Sequence, residues 1–175
     1  MATAEKAARK KGAKTVVREY FDALADQDLD RAVTFWKPGG IDRLHGIGDL
    51  TAPSGIRGYF SELFAAFPDW QFEVVELVGS GDLAAGRWRT RATFSGPGKF
   101  QGVAPNGKSI DLEGCDMFRV EDGLIVENNA YTNGMQIAQQ LGLLPPQGSS
   151  AERAMTGAFN AKTAAATAIK RLRDR

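Results

Sequence analysis

At Pro68 the hydrophobic period of this chain switches from 3.6 residues to 2, and the helical period does not return until Met135. Before the switch, apolar side chains recur at helical spacing. Val16, Val17, Tyr20, Phe21 and Leu24 do so over residues 14–26; Ile56, Tyr59, Phe60, Leu63, Phe64 and Phe67 do so in a run that Ser54 can cap and Pro68 ends. Between them a short helix is predicted over 28–36, carrying Leu29, Ala32, Val33 and Trp36 and stopped by Lys37-Pro38-Gly39-Gly40. A short strand and loop follow over 41–50. After the switch, strands are predicted over 70–78, 83–94, 110–120 and 124–131. In the second of these Arg87, Arg89 and Arg91 alternate with Trp88, Thr90 and Ala92, so one face is wet and the other buried. Helices first and long antiparallel strands after define an α+β class. A strongly curved antiparallel sheet with helices on its concave side would enclose a pocket.

The last two predicted strands carry the most informative position. Glu121-Asp122-Gly123 between apolar-rich runs signals a tight hairpin, because the turn needs φ > 0 and Gly supplies it. Asp116 then shares a face with Phe118 and Val120 and points into an apolar interior, with Cys115 facing away as a structural residue. A buried carboxyl must be paired or kept neutral, and either state makes it chemically useful. The other reading of Asp116 is a buried carboxyl bonded to backbone amides.

Length and charge set the organisation. The 175 residues suit one domain with extensions: a basic N-terminal segment (1–13), a domain (14–146), and a linker with a basic C-terminal helix (147–175). Ser149 and Glu152 have capping-box spacing at the start of that helix. Met155, Phe159, Ala166, Ile169 and Leu172 form a thin apolar stripe along it, read as a surface helix docked on its own domain or on a partner. From Ala151 onward six basic residues face two acidic ones, which leaves the rest of the chain at −3 on a total of +1. No nucleic-acid partner and no membrane insertion are expected from that balance. One cysteine precludes an intrachain disulfide, and one histidine precludes a His-rich metal site. No metal or cofactor is implied, and a cytoplasmic protein is the expectation.

Several stretches, in order and at the right spacing, carry a family resemblance. They are Tyr20-Phe21-Asp22-Ala23-Leu24, Ala65-Ala66-Phe67-Pro68-Asp69-Trp70, Gly81-Asp82 with Arg87-Trp88, residues 100–107, residues 116–123, and Gln139-Gln140-Leu141-Gly142. Over residues 14–146 the chain resembles the SnoaL-like polyketide cyclase and ester cyclase group of the nuclear transport factor 2-like cone fold. Tyr20 and Asp116 also match the ketosteroid isomerase branch of that fold. There a phenol and a desolvated carboxylic acid face one pocket and could hold an enolate oxygen. The resemblance also marks a departure. The tryptophan and the acid/base aspartate that these cyclases place on the last strand fall here at Asn129 and Asn133. An amide can bind an oxyanion but cannot shuttle a proton near pH 7. The base is therefore expected at Asp42 or His45, on the segment where related pockets place one.

The expectations are these. Asp116, Tyr20, Asp42 and His45 are the catalytic candidates. Asp42 is expected to stay ionised beside Arg43, with Asp42-Arg43 as a plain ion pair the alternative, and Asp116 to be the neutral partner. Trp88, Asn129, Tyr131 and Asn133 are the substrate-binding candidates. The last three share a strand face that is either the pocket or the sheet's solvent side, and the pocket is preferred. What the resemblance implies is a cofactor-independent cyclase, isomerase or lyase acting on a small hydrophobic carbonyl compound such as a polyketide or terpenoid, working as a homodimer. The alternative is a non-catalytic hydrophobic-ligand-binding or dimeric interaction module.

Overall fold

A computed structural model describes residues 11–174. Residues 1–10 of the basic N-terminal segment and Arg175 lie outside the described residues. The chain begins with helix α1 (Ala13–Ala25), whose Val16, Val17, Tyr20, Phe21 and Leu24 are all buried, as their spacing requires. Each such large side chain contributes on the order of 1.5–3 kcal/mol by leaving water. Phe21 brings the helix close to the sheet: a Cβ on Gly86 would lie 2.5 Å from its Cε2.

Helix α2 (Leu29–Thr34) is capped by the Asp28 carboxylate, which accepts from the Arg31 amide at 3.0 Å. It ends two residues earlier than its apolar spacing suggests. Trp36 is not its last apolar residue but the buried first residue of strand β1 (Trp36–Leu44). Pairing overrides helical spacing here, because the Ile125 amide donates to the Phe35 carbonyl at 2.8 Å and draws the chain into the sheet. Pro38, which has no amide hydrogen, falls where the register slips between Trp36 and Ile41. Strand β2 (Gly48–Thr51) turns back on β1. Helix α3 (Ser54–Ala66) has Pro53, not Ser54, at its cap position, and no side chain caps it.

Strands β3 (Gln71–Ser80), β4 (Leu83–Thr93), β5 (Ser109–Glu121) and β6 (Leu124–Thr132) form the long ladder. The six strands lie in the order β2-β1-β6-β5-β4-β3 in one curved sheet. The sheet is not wholly antiparallel: β1 runs parallel to β6, a pairing open to strands far apart in sequence that no hairpin joins. Asp122 (φ 52°) and Gly123 (φ 84°) make the predicted hairpin turn. Beyond that turn the register shifts: Val120 pairs with Ile125, but Arg119 pairs with Glu127, so β6 carries a bulge at Val126.

The helices cover one face of the sheet. Two apolar clusters fill the space between. One gathers α1, Trp36, Ile56, Phe118 and Ile125; the other gathers Leu63, Phe67, Phe94, Ile110, Leu112 and Leu141. Phe60 and Phe64 pack on both. Helix α4 (Gly134–Gln140) and helix α5 (Ser150–Arg173) follow. Ser149 caps α5 through the Glu152 amide at 3.1 Å, and the Glu152 carboxylate accepts from the Gly148 amide, one residue before the cap. No residue of α5 is buried, so the helix is not docked on its own domain.

Candidate functional site

Where the two clusters meet, α1, α3, β1, β3, β4, β5 and β6 leave a cavity of about 100 Å³. Its wall is apolar apart from a few groups. Asp42, Asp116, Tyr20, Tyr59, Trp70, Trp88 and Thr132 carry all of its polar side-chain atoms. Strand alternation places them. Asp116 is on the inner face of β5 with Phe118 and Val120, all three buried. Asp42 is on the inner face of β1 and only 1% exposed.

One amide joins the two carboxyls. Asn128 Nδ2 donates to Asp42 Oδ1 at 2.9 Å and to Asp116 Oδ2 at 3.1 Å. The two acceptor oxygens are therefore no farther apart than those bonds laid end to end. Asp116 Oδ1 accepts a further hydrogen bond from Trp88 Nε1 at 2.9 Å. The indole reaches it across Gly114, the register partner of Trp88, at a point where a side chain would collide with the ring. Asn128 spends both amide hydrogens on the carboxyls, and its Oδ1 is buried with no partner.

Burial dominates the electrostatics. It pushes the Asp42 carboxyl up to about 7, with the Asp116 charge adding to it and the Asn128 bond opposing. It pushes Asp116 up to about 6, opposed by the Trp88 and Asn128 hydrogen bonds. Asp42 is thus not the freely ionised carboxylate expected beside Arg43: burial raises it, as it raises Asp116. The reason is alternation. Arg43 points to the opposite face, where it pairs with Glu127 at 2.8 Å, so its guanidinium does not steady Asp42. Burial also raises the phenols of Tyr20 and Tyr59 above their ordinary value, with Asp42 the next cause for each. Near neutral pH the site therefore holds neutral phenols and two carboxyls that share roughly one proton.

Of the expected site residues, the cavity brings together Tyr20, Asp42, Asp116 and Trp88. It does not take in the other four. His45 lies one residue past β1, exposed, its ring stacked on Tyr131 at 4.3 Å and its Nε2 3.2 Å from Asn129 Oδ1. Asn129 and Tyr131 are on the outer face of β6, and Asn129 also donates to Glu127 at 2.9 Å. Asn133 caps α4 through the Gln136 amide at 3.1 Å. The bulge at Val126 is the cause: an unbulged hairpin would set Asn129 opposite Asp116 and facing inward, and one extra residue turns Asn128 inward instead. Tyr59, Trp70 and Thr132 were also missed. Tyr59 sits at helical spacing with Ile56 and Leu63, which sequence alone reads as plain core. Among the described residues no group of three His, Cys, Asp or Glu side chains is placed to hold a metal ion. No helix of theirs is long and apolar enough to cross a membrane.

Comparison with known proteins places this geometry. The family model of the SnoaL-like polyketide cyclases matches residues 14–141. Among curated proteins there is no match. Solved structures superpose well. AclR, a candidate hydroxylase from Streptomyces galilaeus, shares 26% identity at a TM-score of 0.65 over 76% of this chain and 97% of its own. IdmH, a candidate polyketide cyclase from Streptomyces antibioticus, shares 27% at 0.64 over 75% of this chain and 99% of its own. A protein of ketosteroid isomerase-like fold from Catenulispora acidiphila, solved with trimethylamine, shares 16% at 0.61 over 73% of this chain and 92% of its own, a likeness of fold alone.

Proposed function

Because the chain belongs to the SnoaL-like polyketide cyclase family, we propose that it is a cofactor-independent enzyme that moves protons on a small hydrophobic carbonyl compound, of polyketide or terpenoid type. Cyclisation, isomerisation and dehydration are the forms this takes. The observation that carries the reading is the pair of buried carboxyls bridged by Asn128 in an apolar cavity. Asp116 lines the cavity and takes its hydrogen bonds from the Trp88 and Asn128 side chains, as an active carboxyl would, rather than from backbone amides in a filled core.

Asp116, ionised above about 6, is the base. It takes a proton from the carbon next to the carbonyl, and the C–H pair becomes the C=C bond of an enol. Asp42, still protonated below about 7, gives its proton to the carbonyl oxygen, which receives the C=O π pair. Tyr20 and Tyr59, kept neutral by burial, supply O–H donors to that oxygen. Return of a proton at another carbon is isomerisation; attack of the enol carbon on a second carbonyl is ring closure. Asn128 holds the two carboxyls in register as a positioning residue. The protein is further proposed to act as a cytoplasmic homodimer, paired through the outer sheet face, where Val78, Leu83 and Met117 are exposed together.

Exchange of the α-hydrogens of straight-chain methyl ketones in D₂O, followed by proton NMR, tests the chemistry. The wild-type protein should catalyse exchange, and Asp116→Asn should slow it by about 10²–10⁴-fold. Exchange of equal rate in wild type and Asp116→Asn would remove the base from the proposal.

A further inference from the structure

The inner cavity is smaller than the roughly 300–1,000 Å³ that ligand sites usually offer. It does not stand alone. A groove of about 480 Å³ runs beneath α4, and its wall shares Ile47 and Thr132 with the cavity. Beyond that junction the groove wall is mostly apolar, with Phe100, Val103, Ile137 and Leu143, and His45 and Gln101 add polar atoms to it. Leu143 and Ile47 are 52% and 42% exposed, so the groove opens to solvent. At the junction, Thr132 Oγ1 is buried and has no hydrogen-bond partner. A buried hydroxyl without a partner is uncommon in a folded protein and marks a position where a ligand atom fits. Thr132 lies on the inner face of β6, opposite Gly114, and so next to the Trp88 indole that holds Asp116.

We propose that the groove is the second half of the binding site, and that the substrate is a two-part molecule. Its carbonyl head enters the inner cavity between Asp42 and Asp116. A second oxygen, next along the chain, accepts from the Thr132 hydroxyl. An apolar tail lies in the groove against Phe100, Val103, Ile137 and Leu143. This rests on the carboxyl chemistry above for the placement of the head. Selectivity then comes from two features. Thr132 favours substrates with a second oxygen beyond the head carbonyl, and the groove favours those with a long tail. Small ketones without a tail would leave the groove wet and bind weakly.

Two probe series test it by calorimetric titration: straight-chain methyl ketones from butanone to dodecanone, and the corresponding straight-chain methyl β-diketones. Each added methylene should tighten binding by about fourfold until the groove is full. Leu143→Asp changes an exposed position, so the fold should survive. It should flatten the length dependence, weakening dodecanone far more than butanone. Thr132→Val keeps the shape and removes the hydroxyl; it should weaken the β-diketones by about fivefold more than the methyl ketones. A wild-type affinity that does not rise with length, or a length dependence unaltered in Leu143→Asp, overturns the groove. Equal losses for ketones and β-diketones in Thr132→Val overturn the second oxygen. The α-hydrogen exchange of the same ketones is read separately. Length-dependent binding without exchange would overturn the proton-transfer reading while supporting the groove, and exchange without length dependence would do the reverse.

Discussion

Gly114 leaves open the space that the Trp88 indole occupies on its way to Asp116. A Cβ at residue 114 would overlap the indole ring, and the indole nitrogen donates to Asp116 Oδ1 at 2.9 Å. A glycine mid-strand ordinarily weakens a sheet; this one lets a donor cross the strand to a buried carboxylate.

Gly114→Ala should therefore push the indole aside and remove a bond that steadies the Asp116 anion. The Asp116 titration should move upward from about 6, and stability should fall by about 1–3 kcal/mol from overpacking. Trp88→Phe is the partner experiment, since it deletes the donor with less crowding. The two variants should raise the acid limb of the pH profile together, while only Gly114→Ala strains the sheet. A profile unchanged in both would mean that the indole does not tune Asp116.

The buried carboxyls should make the protein more stable in acid than at pH 8. Their folded titrations, near 7 and 6, lie above the unfolded value of about 3.9. Between those limits the folded state holds protons that the unfolded state has released. Stability then falls as pH rises from about 4 to about 7 and is level above. Asp69, exposed, and Asp111 and Glu127, both half-buried, are shifted downward; they act in the opposite sense and only below their ordinary range. Asp42→Asn keeps an oxygen to accept from Asn128 and removes one of the two charges. Its melting temperature should exceed that of the wild type at pH 8 and vary less between pH 4 and 7. A melting temperature lower than wild type at pH 8 would show that the Asp42 anion is stabilised by something other than these neighbours.

The fold was readable because each of its signals is local. The period switch at Pro68, the Asp122-Gly123 turn and the alternation about Trp88 each act within a few residues. Asp116 was readable for the same reason, lying five residues from the turn. Asn128 was not, because a bulge at Val126 reverses inside and outside for the rest of β6, and a bulge has no residue signature here. The same parity error put Asn129 and Tyr131 in the pocket. The upward shift of Asp42 was hidden because Arg43 is next to Asp42 in sequence but across the sheet from it in space. Trp36 was assigned to a helix because its pairing partner, Ile125, lies far along the chain.

The chain should fold without residues 149–175. None of α5 is buried, and Met155, Phe159, Ile169 and Leu172 are all at least half exposed. Leu141, the last buried residue of the second cluster, precedes the cut. A protein ending at Gly148 should keep a cooperative thermal transition with a midpoint within a few degrees of full length. A truncated chain without such a transition would show that the helix contributes to the core.

The outer sheet face should hold two copies together. Val78, Leu83 and Met117 are exposed side by side, flanked by the ion pairs Arg87–Glu113 and Arg119–Asp82, both at 2.9 Å. An apolar centre with a charged rim suits an interface that is polar in part. Light scattering at tens of micromolar should give the mass of a dimer, and Met117→Lys should halve it. A monomer for the wild type would leave the patch without this role.

Turnover should have a narrow optimum between pH 6 and 7. Asp116 must lose its proton to act as base, which gives an ascending limb near 6. Asp42 must keep its own to act as acid, which gives a descending limb near 7. With both limbs so close, the competent form is never the whole population, and the peak is low and sharp. Asp42→Asn removes the acid and with it the descending limb, so the residual rate should rise to a plateau above pH 7, about 10²–10⁴-fold below wild type. The ascending limb should stay near 6, because Asp42 is neutral where Asp116 ionises and removing it takes no charge from beside Asp116. Asp116→Asn should lose both the rate and the ascending limb. A wild-type rate that climbs steadily past pH 8 would assign the base to a group outside this pair.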